Sequence, residues 1–313
     1  MAEPKAQQRV PFDPLPVVDA HHHLWDGAAS GIRYPWHGKV GSQHHLGDTS
    51  SIWRPYLPEE YRRDSALHNV VATVHIEAEC DRTQQVAETA WLTKVAAEHG
   101  MPNAIVAHAW IDEPNSDDIL AAHKEYPLVR GIRTKPVIAA EPKGSVRGEK
   151  RSLQDPKWID GLALLEKHDL SWDLRVPWWH LAEAAEVCRV HPTMRIVLNH
   201  TGYPLHRDAD SLAEWRRGMT LLAACGNVYV KLSGLTVVGQ PWTFEANAPL
   251  IREVIDLFGT DRCMFASNFP VDGLFGSWDY LYVNFKRATA DLPQADREKL
   301  FAGNAARFYR IEV

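Results

Sequence analysis

Three histidines, His21 to His23, follow a β-branched segment that begins at Val17. Side chains alternate along a strand, so His21 and His23 are predicted to face the interior of the fold together with Asp19, while His22 faces the opposite way. Two imidazoles that converge on one point can bind a divalent metal or polarise a carbonyl oxygen. A hydrogen-bonded structural pair is the alternative, but burying three successive histidines without a function is costly, which favours a site.

A further imidazole stands at His200, in the segment Ile-Val-Leu-Asn-His-Thr-Gly. The segment indicates a strand followed by a glycine turn, and the C-terminal end of a barrel strand is typical of a catalytic residue rather than of a core histidine. His75 and Glu77 share one face of another predicted strand. Glu77 is therefore a candidate oxygen ligand of a metal, or a carboxylate that hydrogen-bonds to the ligands.

Cationic side chains are predicted near the same strand ends, at Arg133, Lys135 and Lys231. They suit a small-molecule substrate that carries a carboxylate, or the oxyanion that develops during acyl transfer. Ion pairing with Glu77 or Asp173 is the alternative. Trp178 follows a further predicted strand, and its aromatic surface is predicted to form a wall of the substrate pocket.

The elements that must position these side chains alternate between short β-branched segments and longer amphipathic ones, the pattern of βα units around a parallel sheet. The eight predicted strands are Val17–His21, Val70–Ile76, Ala104–Ala109, Val129–Arg133, Leu170–Leu174, Arg195–Asn199, Val228–Leu232 and Cys263–Ser267. The predicted outer helices include Gln84–Glu98, Asp155–His168, Leu181–Val190, Ser211–Ala224 and Phe244–Phe258. Eight units without a Gly/Pro/Ser-rich linker predict a single (β/α)8 TIM barrel rather than a doubly wound sheet. We therefore expect one domain over residues 1–313, with an extended N-terminal arm at about 1–16.

Two predicted connections are too long for simple turns, from Trp25 to about Tyr56 and from Lys135 to about Gln154. Both follow a strand, so both are predicted to lie on the catalytic face and to shape the substrate pocket. Beyond the eighth strand, we expect a helix that Gly303 ends and a second short helix that Asn304 caps, together closing the bottom or side of the barrel.

The composition is that of an ordinary globular protein: 313 residues, 45% hydrophobic and 24% charged, with a formal net charge of -6. Charges of both signs are interspersed, which argues against a nucleic-acid partner. The sequence shows no apolar core of an export signal and no apolar segment of membrane-spanning length, so we expect a cytoplasmic protein without a membrane partner. The four cysteines lack the spacing of a metal site and are predicted to be buried. A homo-oligomer is compatible with this sequence.

The chain as a whole resembles the amidohydrolase superfamily, specifically its amidohydrolase 2 branch. The motifs that carry the resemblance occur in the expected order along nearly the whole chain: VDAHHHLWD, YLPEEYRRD, VRGIR, LNHTGYP, VKLSGL, FASNFPVD and FAGNAARFYRI. Together they are highly specific. The branch is similar to the hydrolases of 2-pyrone-4,6-dicarboxylate and to the lactonases of sugar acids, which implies a hydrolase that opens a lactone.

The resemblance also implies roles for the histidines. His21 and His23 match the H-x-H pair of the first strand, and His200 matches the histidine of the N-H-x-G segment. These three, with Glu77 as a further ligand, would hold zinc or another divalent metal. Some lactonases of this branch act without metal, so polarisation of the lactone carbonyl by the imidazoles alone stays open.

The eighth-strand motif departs from the branch, which usually has an aspartate where this sequence has Asn268. An amide cannot act as a general base. Asp272, four residues later, or Glu77 is then the candidate base, unless the reaction needs none. Two other functions remain as alternatives: a metal-dependent decarboxylase on the same barrel, and a catalytically silent homologue that only binds a small molecule.

Overall fold

Eight parallel strands form the centre of the protein in the computed structural model, which describes residues 13–38 and 46–313. The strands are β1 (Asp13–His22), β2 (His68–Ile76), β3 (Ala104–Ala107), β4 (Val129–Ile132), β5 (Ser171–Leu174), β6 (Ile196–Leu198), β7 (Val228–Leu232) and β8 (Cys263–Phe265). Each pairs in parallel with the next along the chain. The predicted (β/α)8 TIM barrel is confirmed. Residues 13–16 of the predicted arm belong to β1, and the rest of that arm lies outside the described residues.

Helices lie between the strands, and the last three follow β8. Their bounds are α1 (Gly27–Ser30), α2 (Pro58–Asp64), α3 (Gln85–His99), α4 (Ser116–Lys124), α5 (Pro156–Lys167), α6 (Leu181–Val190), α7 (Ala209–Ala223), α8 (Phe244–Phe258), α9 (Trp278–Ala288), α10 (Gln294–Glu298) and α11 (Asn304–Tyr309). In α8, Leu250, Val254 and Phe258 are buried one turn apart, and the Thr243 side chain accepts a hydrogen bond from the Ala246 amide at the N-terminus. Apolar spacing and the cap explain why the predicted helix has the observed bounds.

The barrel is completed by contacts between β1 and the residues that follow β8. The Asn268 amide donates to the His21 carbonyl at 2.7 Å, and the His23 amide donates to the Phe269 carbonyl at 2.7 Å. Ser267 donates from its amide to one carboxylate oxygen of Asp19 at 2.8 Å and from its hydroxyl to the other at 2.6 Å. The first and eighth strand ends are therefore held together at the catalytic face.

The pairing of β1 with β2 slips between Asp19 and His22. A bulge of this kind interrupts the alternation of side chains. As a result, the Asp19 carboxylate points out of the barrel toward α2, where it is buried and accepts a 2.7 Å hydrogen bond from the Tyr61 hydroxyl. The ring of His21 lies inside the barrel. The prediction that Asp19 shares a face with His21 and His23 is wrong for this reason.

The helix α11 closes the bottom of the barrel. Phe308 and Tyr309 pack against interior side chains that include Val18 and Val74. The Tyr309 hydroxyl lies 3.0 and 3.1 Å from the two carboxylate oxygens of Asp173 on β5. This part of the chain has the predicted structural role, and it also reaches the polar interior.

The predicted helix break at Gly303 is wrong. Gly303 has helical dihedral angles, φ −60° and ψ −39°, in a π-helical turn, Lys299–Gly303, that joins α10 to α11. Asn304 does not cap α11. Its side-chain amide instead donates to the carbonyls of Thr260 and Cys263, both at 2.7 Å, so its polar group anchors the helix to β8.

The cysteines and the helices bear on the class of protein. The four cysteines are buried and free, as predicted. Across residues 13–38 and 46–313, none of the helices has the length and apolar character that crossing a membrane requires.

Candidate active site

A cavity of about 370 Å³ opens at the C-terminal ends of the strands. Its polar lining residues include His23, Glu79, Arg133, Arg175, His200, Tyr203, Asn268 and Asp272. The first long connection contributes Trp25, Trp36 and Thr49 to the wall, as predicted. The second, from Lys135 to about Gln154, contributes no lining residue, although all of it is described. The prediction that both connections shape the pocket is therefore wrong for the second.

The predicted imidazoles from β1 and from the end of β6 meet. The ring centre of His21 lies 4.5 Å from that of His200 and 5.0 Å from that of His23. His23 and His200 line the cavity, while His21 is fully buried behind them. Burial lowers the pKa of His23 to about 3 and holds the pKa values of His21 and His200 well below the ordinary value. All three rings are therefore neutral near pH 7, and their catalytic roles stay predictions.

The backbone at His200 is strained. His200 and Thr201 have φ of 57° and 52°, in the left-handed region that non-glycine residues rarely adopt. The Trp215 indole fixes this turn by donating to the Thr201 carbonyl at 2.8 Å, and the His200 ring pairs with the Ser233 hydroxyl at 2.9 Å. Strain held in place by the surrounding structure is typical of functional sites.

Gly234, after β7, makes room for the His200 side chain. Its φ is +60°, and a Cβ on it would lie 2.6 Å from the Cβ of His200. We expect Gly234→Ala to displace His200, to lower activity at least about tenfold and to reduce the free energy of unfolding by about 1–3 kcal/mol. Gly239→Ala is the matched control, because Gly239 has a similar φ of +75° and no atom within 4 Å of an added Cβ. Equal effects of the two substitutions on activity would contradict the steric argument.

Asn268 and Asp272 lie in the part of the cavity wall that follows β8, and their side chains are hydrogen-bonded to each other. Asn268 donates from its side-chain nitrogen to Asp272 Oδ1 at 2.7 Å, and the Gly234 amide donates to Asp272 Oδ2 at 3.2 Å. Burial raises the pKa of Asp272 to about 7, although both hydrogen bonds oppose the shift. A carboxyl that titrates near neutral pH inside a cavity has the properties of a general acid or base.

Glu77 lies in a buried ionic network instead of the cavity wall. Arg133 Nε donates to its Oε1 at 2.8 Å, Arg82 pairs with its Oε2 at 3.2 Å, and Lys135 Nζ lies 3.3 Å from Oε1. Burial alone would raise the pKa of Glu77, but the charges of Lys135, Arg133 and Arg82 hold it well below the ordinary value. Its carboxylate is therefore a weak base whose oxygens are already engaged, which does not support the predicted role as ligand or base.

The predicted substrate-binding residues separate into two groups. Arg133 lines the cavity, whereas Lys135, Lys231 and Trp178 do not. Lys135 pairs with Glu79 and Glu77. Lys231 is fully buried and donates to Asp173 at 2.5 Å, and the Trp178 indole donates to His206 at 3.3 Å. Ion pairing, the alternative that the sequence left open, is what the structure has for both lysines, and we leave all three residues out of the proposed substrate contacts.

Sequence reasoning did not single out Trp36 within the first connection, and the polar lining residues that it missed include Glu79, Arg175 and Tyr203. Arg175 directly follows β5, and its Nε donates to the Tyr203 hydroxyl at 2.8 Å. Tyr203 stands three residues after His200 in the same turn. The rule that identified His200, a polar residue just beyond a strand's C-terminal end, also applies to Arg175. Trp36 lies in the middle of a long connection, where no periodicity marks it.

The fit of a metal can be judged from the side chains at the site. No group of three or more His, Cys, Asp and Glu side chains within the described ranges is arranged to hold a metal ion. The eighth-strand position offers an amide, Asn268, in place of a carboxylate, and Glu77 is engaged by three cations. The ammonium of Lys231 lies 3.5 Å from His21 Nδ1, where it would repel a cation. The predicted set of His21, His23, His200 and Glu77 does not fit a metal centre in this arrangement.

Comparison with known proteins identifies similar chains. The sequence model of the family described as Amidohydrolase matches residues 18–311. The uncharacterized protein y4mH of Sinorhizobium fredii is 38% identical over 298 residues, which cover 95% of this chain and 99% of that protein. The L-fucono-1,5-lactonase of Burkholderia ambifaria is 30% identical over 309 residues, 94% of this chain and 96% of the relative. An amidohydrolase from Burkholderia multivorans, crystallised with bound zinc, has a TM-score of 0.77 at 26% identity, covering 95% of this chain and 99% of that one.

Proposed function

Because this chain belongs to the amidohydrolase family and is an enzyme of that hydrolase type, we propose that it opens the lactone ring of a sugar acid. The observation that carries the proposal is the position of Asp272: a buried carboxyl with a pKa of about 7 in the same cavity wall as the His23 and His200 imidazoles. The similarity to an L-fucono-1,5-lactonase supports the substrate class.

The reaction follows from these groups. As a water oxygen attacks the lactone carbonyl carbon, the Asp272 carboxylate takes the water proton, and Asn268 keeps the carboxylate oriented through its 2.7 Å hydrogen bond. The carbonyl oxygen becomes an oxyanion, which a neutral imidazole of the group His21, His23 and His200 stabilises by donating a hydrogen bond. Collapse of the tetrahedral intermediate breaks the ring C–O bond. The leaving alkoxide takes the proton from Asp272. The carboxylate of Asp272 is thereby restored, and the product is an open-chain hydroxy acid.

The existing partners of the two guanidiniums in the lining favour a neutral lactone over the anionic substrate that the sequence suggested. The guanidinium of Arg133 is engaged by the Glu77 carboxylate at 2.8 Å and by the Glu77 carbonyl at 2.6 Å. The charge of Arg175 is opposed by Glu79, and Asp272 adds a second acidic group to the lining. A guanidinium that already has protein partners gains less from a substrate carboxylate than a free one.

An aromatic wall suits a sugar ring. Trp25 and Trp36 line the cavity with ring centres 5.0 Å apart, at an interplanar angle of 83°. Both indole nitrogens are satisfied by backbone carbonyls, Trp25 by Arg54 and Trp36 by Ala78, each at 2.8 Å. The rings are therefore fixed. Trp25 is only 1% exposed and supports the wall from behind, so the partly exposed Trp36 is the ring that we expect to pack on the C–H face of a polyhydroxylated ring.

A pH-indicator screen of lactones tests the proposal. We expect acid release from neutral sugar-acid lactones such as L-fucono- and L-rhamnonolactone, with kcat/KM at least about tenfold above that for 2-pyrone-4,6-dicarboxylate, since a tenfold preference needs only about 1.4 kcal/mol. Heat-denatured protein measures the spontaneous opening of each ring. The screen is run after chelator dialysis and again with zinc restored.

Three results would contradict the proposal in different ways. Absence of acid release from every lactone would remove the hydrolase assignment to this substrate class. Preference for the dicarboxylate would overturn the charge argument. Release of CO2 from an aromatic acid, measured in parallel, would favour the decarboxylase alternative.

A further inference from the structure

Lys231 is a buried cation that the reaction described above does not use. It lies inside the barrel on β7, with no exposed surface. Its Nζ donates to Asp173 Oδ1 at 2.5 Å and lies 3.5 Å from His21 Nδ1. The same carboxylate of Asp173 accepts hydrogen bonds from Asn199 and Tyr309. Lys231 is thus fixed on one side by a well-connected carboxylate and faces an imidazole on the other.

The contact with Lys231 determines which nitrogen of His21 carries the proton. An ammonium group has only donors, so the ring nitrogen that it contacts must present a lone pair. In a neutral imidazole, an unprotonated Nδ1 requires a proton on Nε2. His21 Nε2 is buried behind His23 and His200 and makes no hydrogen bond to any described residue, so its N–H is available only to a group that reaches past those two rings.

The neighbouring His23 has the opposite arrangement. Its Nδ1 lies 2.8 Å from the carbonyl oxygen of Ile76. A carbonyl can only accept, so Nδ1 carries the proton of the neutral ring and Nε2 presents a lone pair. The two imidazoles of the H-x-H pair are therefore set as one donor and one acceptor, although two metal ligands of this kind would both need a lone pair directed at the ion.

We propose that Lys231 is a positioning residue that holds His21 in the Nε2-protonated tautomer, so that His21 presents an N–H, and not a lone pair, to a carbonyl oxygen that reaches past His23 and His200. The role of the donor rests on the proposed lactone hydrolysis, whereas the tautomer does not. The same contact removes His21 as a metal ligand, because binding an ion through Nε2 would place a proton on Nδ1 against the ammonium.

Nitrogen NMR of protein labelled with ¹⁵N-histidine tests the tautomers directly. Long-range proton–nitrogen correlation distinguishes protonated from unprotonated ring nitrogens, and the His21 and His23 signals are assigned by their loss in His21→Asn and His23→Asn. We expect a protonated Nε2 in His21 and a protonated Nδ1 in His23. A protonated Nδ1 in His21, or the same tautomer in both rings, would overturn the proposal, whatever the protein does with lactones.

The double variant Lys231→Met/Asp173→Asn tests the cause. Removing both charges avoids leaving a buried carboxylate without its cation. We expect the His21 signals to shift toward a mixture of tautomers and kcat for the lactone to fall at least about tenfold with KM nearly unchanged, because a transition-state donor is lost from part of the molecules. An unchanged His21 spectrum would show that Lys231 does not set the tautomer.

Lys286→Met is the matched control. Lys286, on α9, is also a buried lysine. Its Nζ lies 2.9 Å from Nδ1 of His68, which is on β2, and neither residue lines the cavity. Its substitution should alter the His68 signals and leave the His21 signals and kcat as they are. A loss of kcat as large as that of the double variant would attribute the effect to general loosening of the barrel and contradict the proposal.

Discussion

Asp272→Asn is expected to lower kcat for lactone opening by about 10²- to 10⁴-fold, the usual contribution of a general base. The amide keeps the size of the side chain but cannot take the proton from water. With a pKa of about 7 for Asp272, wild-type kcat should rise through pH 7 to a plateau, and the residual activity of the variant should lack this rise. Initial rates between pH 5 and pH 9 measure both effects.

The stability of the same variant distinguishes loss of a base from loss of structure. Folding raises the pKa of Asp272 above the ordinary 3.8, so its contribution to stability is fully present below pH 3.8 and is lost as the pH rises through 7. At pH 8 the native protein therefore carries a buried charge that the neutral amide of the variant avoids, which stabilises the variant by about 4 kcal/mol at most. Its NH2 group faces one of the two donors to Asp272, Asn268 or Gly234, which reduces this gain by about 1–3 kcal/mol. Denaturant unfolding at pH 8 measures the difference.

A matched control is Asp208→Asn, at the exposed N-cap of α7, where Asn caps as well as Asp. It should change neither kcat nor stability appreciably. Full activity of Asp272→Asn would exclude Asp272 as the base.

His21→Asn is expected to lower kcat by about 10²- to 10³-fold, the usual effect of removing one donor to an oxyanion. KM should change little, because the lost hydrogen bond forms with charge that develops in the transition state. The amide oxygen can still accept from Lys231, so the buried cation keeps a partner. Steady-state kinetics on the lactone identified in the screen measure the two constants separately.

His22→Phe is the control from the adjacent position on the other side of the strand. His22 packs against Tyr61 at 4.8 Å between ring centres, and neither of its ring nitrogens bonds to any described residue. An apolar ring of similar shape removes this unsatisfied polarity, so stability should hold or rise, with kcat preserved. If His22→Phe lost as much activity as His21→Asn, the assignment of faces along β1 would be wrong.

The strands and the meeting of the imidazoles follow from patterns that a sequence carries. β-Branched segments set the positions of the eight strands, and the order of a parallel barrel brings the ends of β1 and β6 to one face. His21, His23 and His200 could therefore be placed together before any coordinates. The face of β1 on which Asp19 lies could not be predicted. It depends on a one-residue slip in the pairing of β1 with β2, and no residue type indicates such a slip.

The charged residues were harder to predict because burial and partner choice depend on distances across the barrel. Lys231 lies on the predicted strand, but its ammonium pairs with Asp173, two strands away, inside the barrel and does not line the cavity. The choice between Asp272 and Glu77 was likewise open in the sequence. It depends on the turn after β8, where the Asp272 amide donates to the Asn268 carbonyl at 3.0 Å, and on the three cations around Glu77.

The bond from Tyr309 to Asp173 ties the assembly of the site to the order of protein synthesis. Translation runs from β1 toward α11, so all eight strands leave the ribosome before Tyr309 does. Until then Asp173 lacks the hydrogen bond from the Tyr309 hydroxyl. The contacts that run from Asp173 through Lys231 to His21 are then incomplete at the bottom of the barrel. A nascent barrel with every strand already made would therefore still lack one of the donors that hold Asp173 beside Lys231.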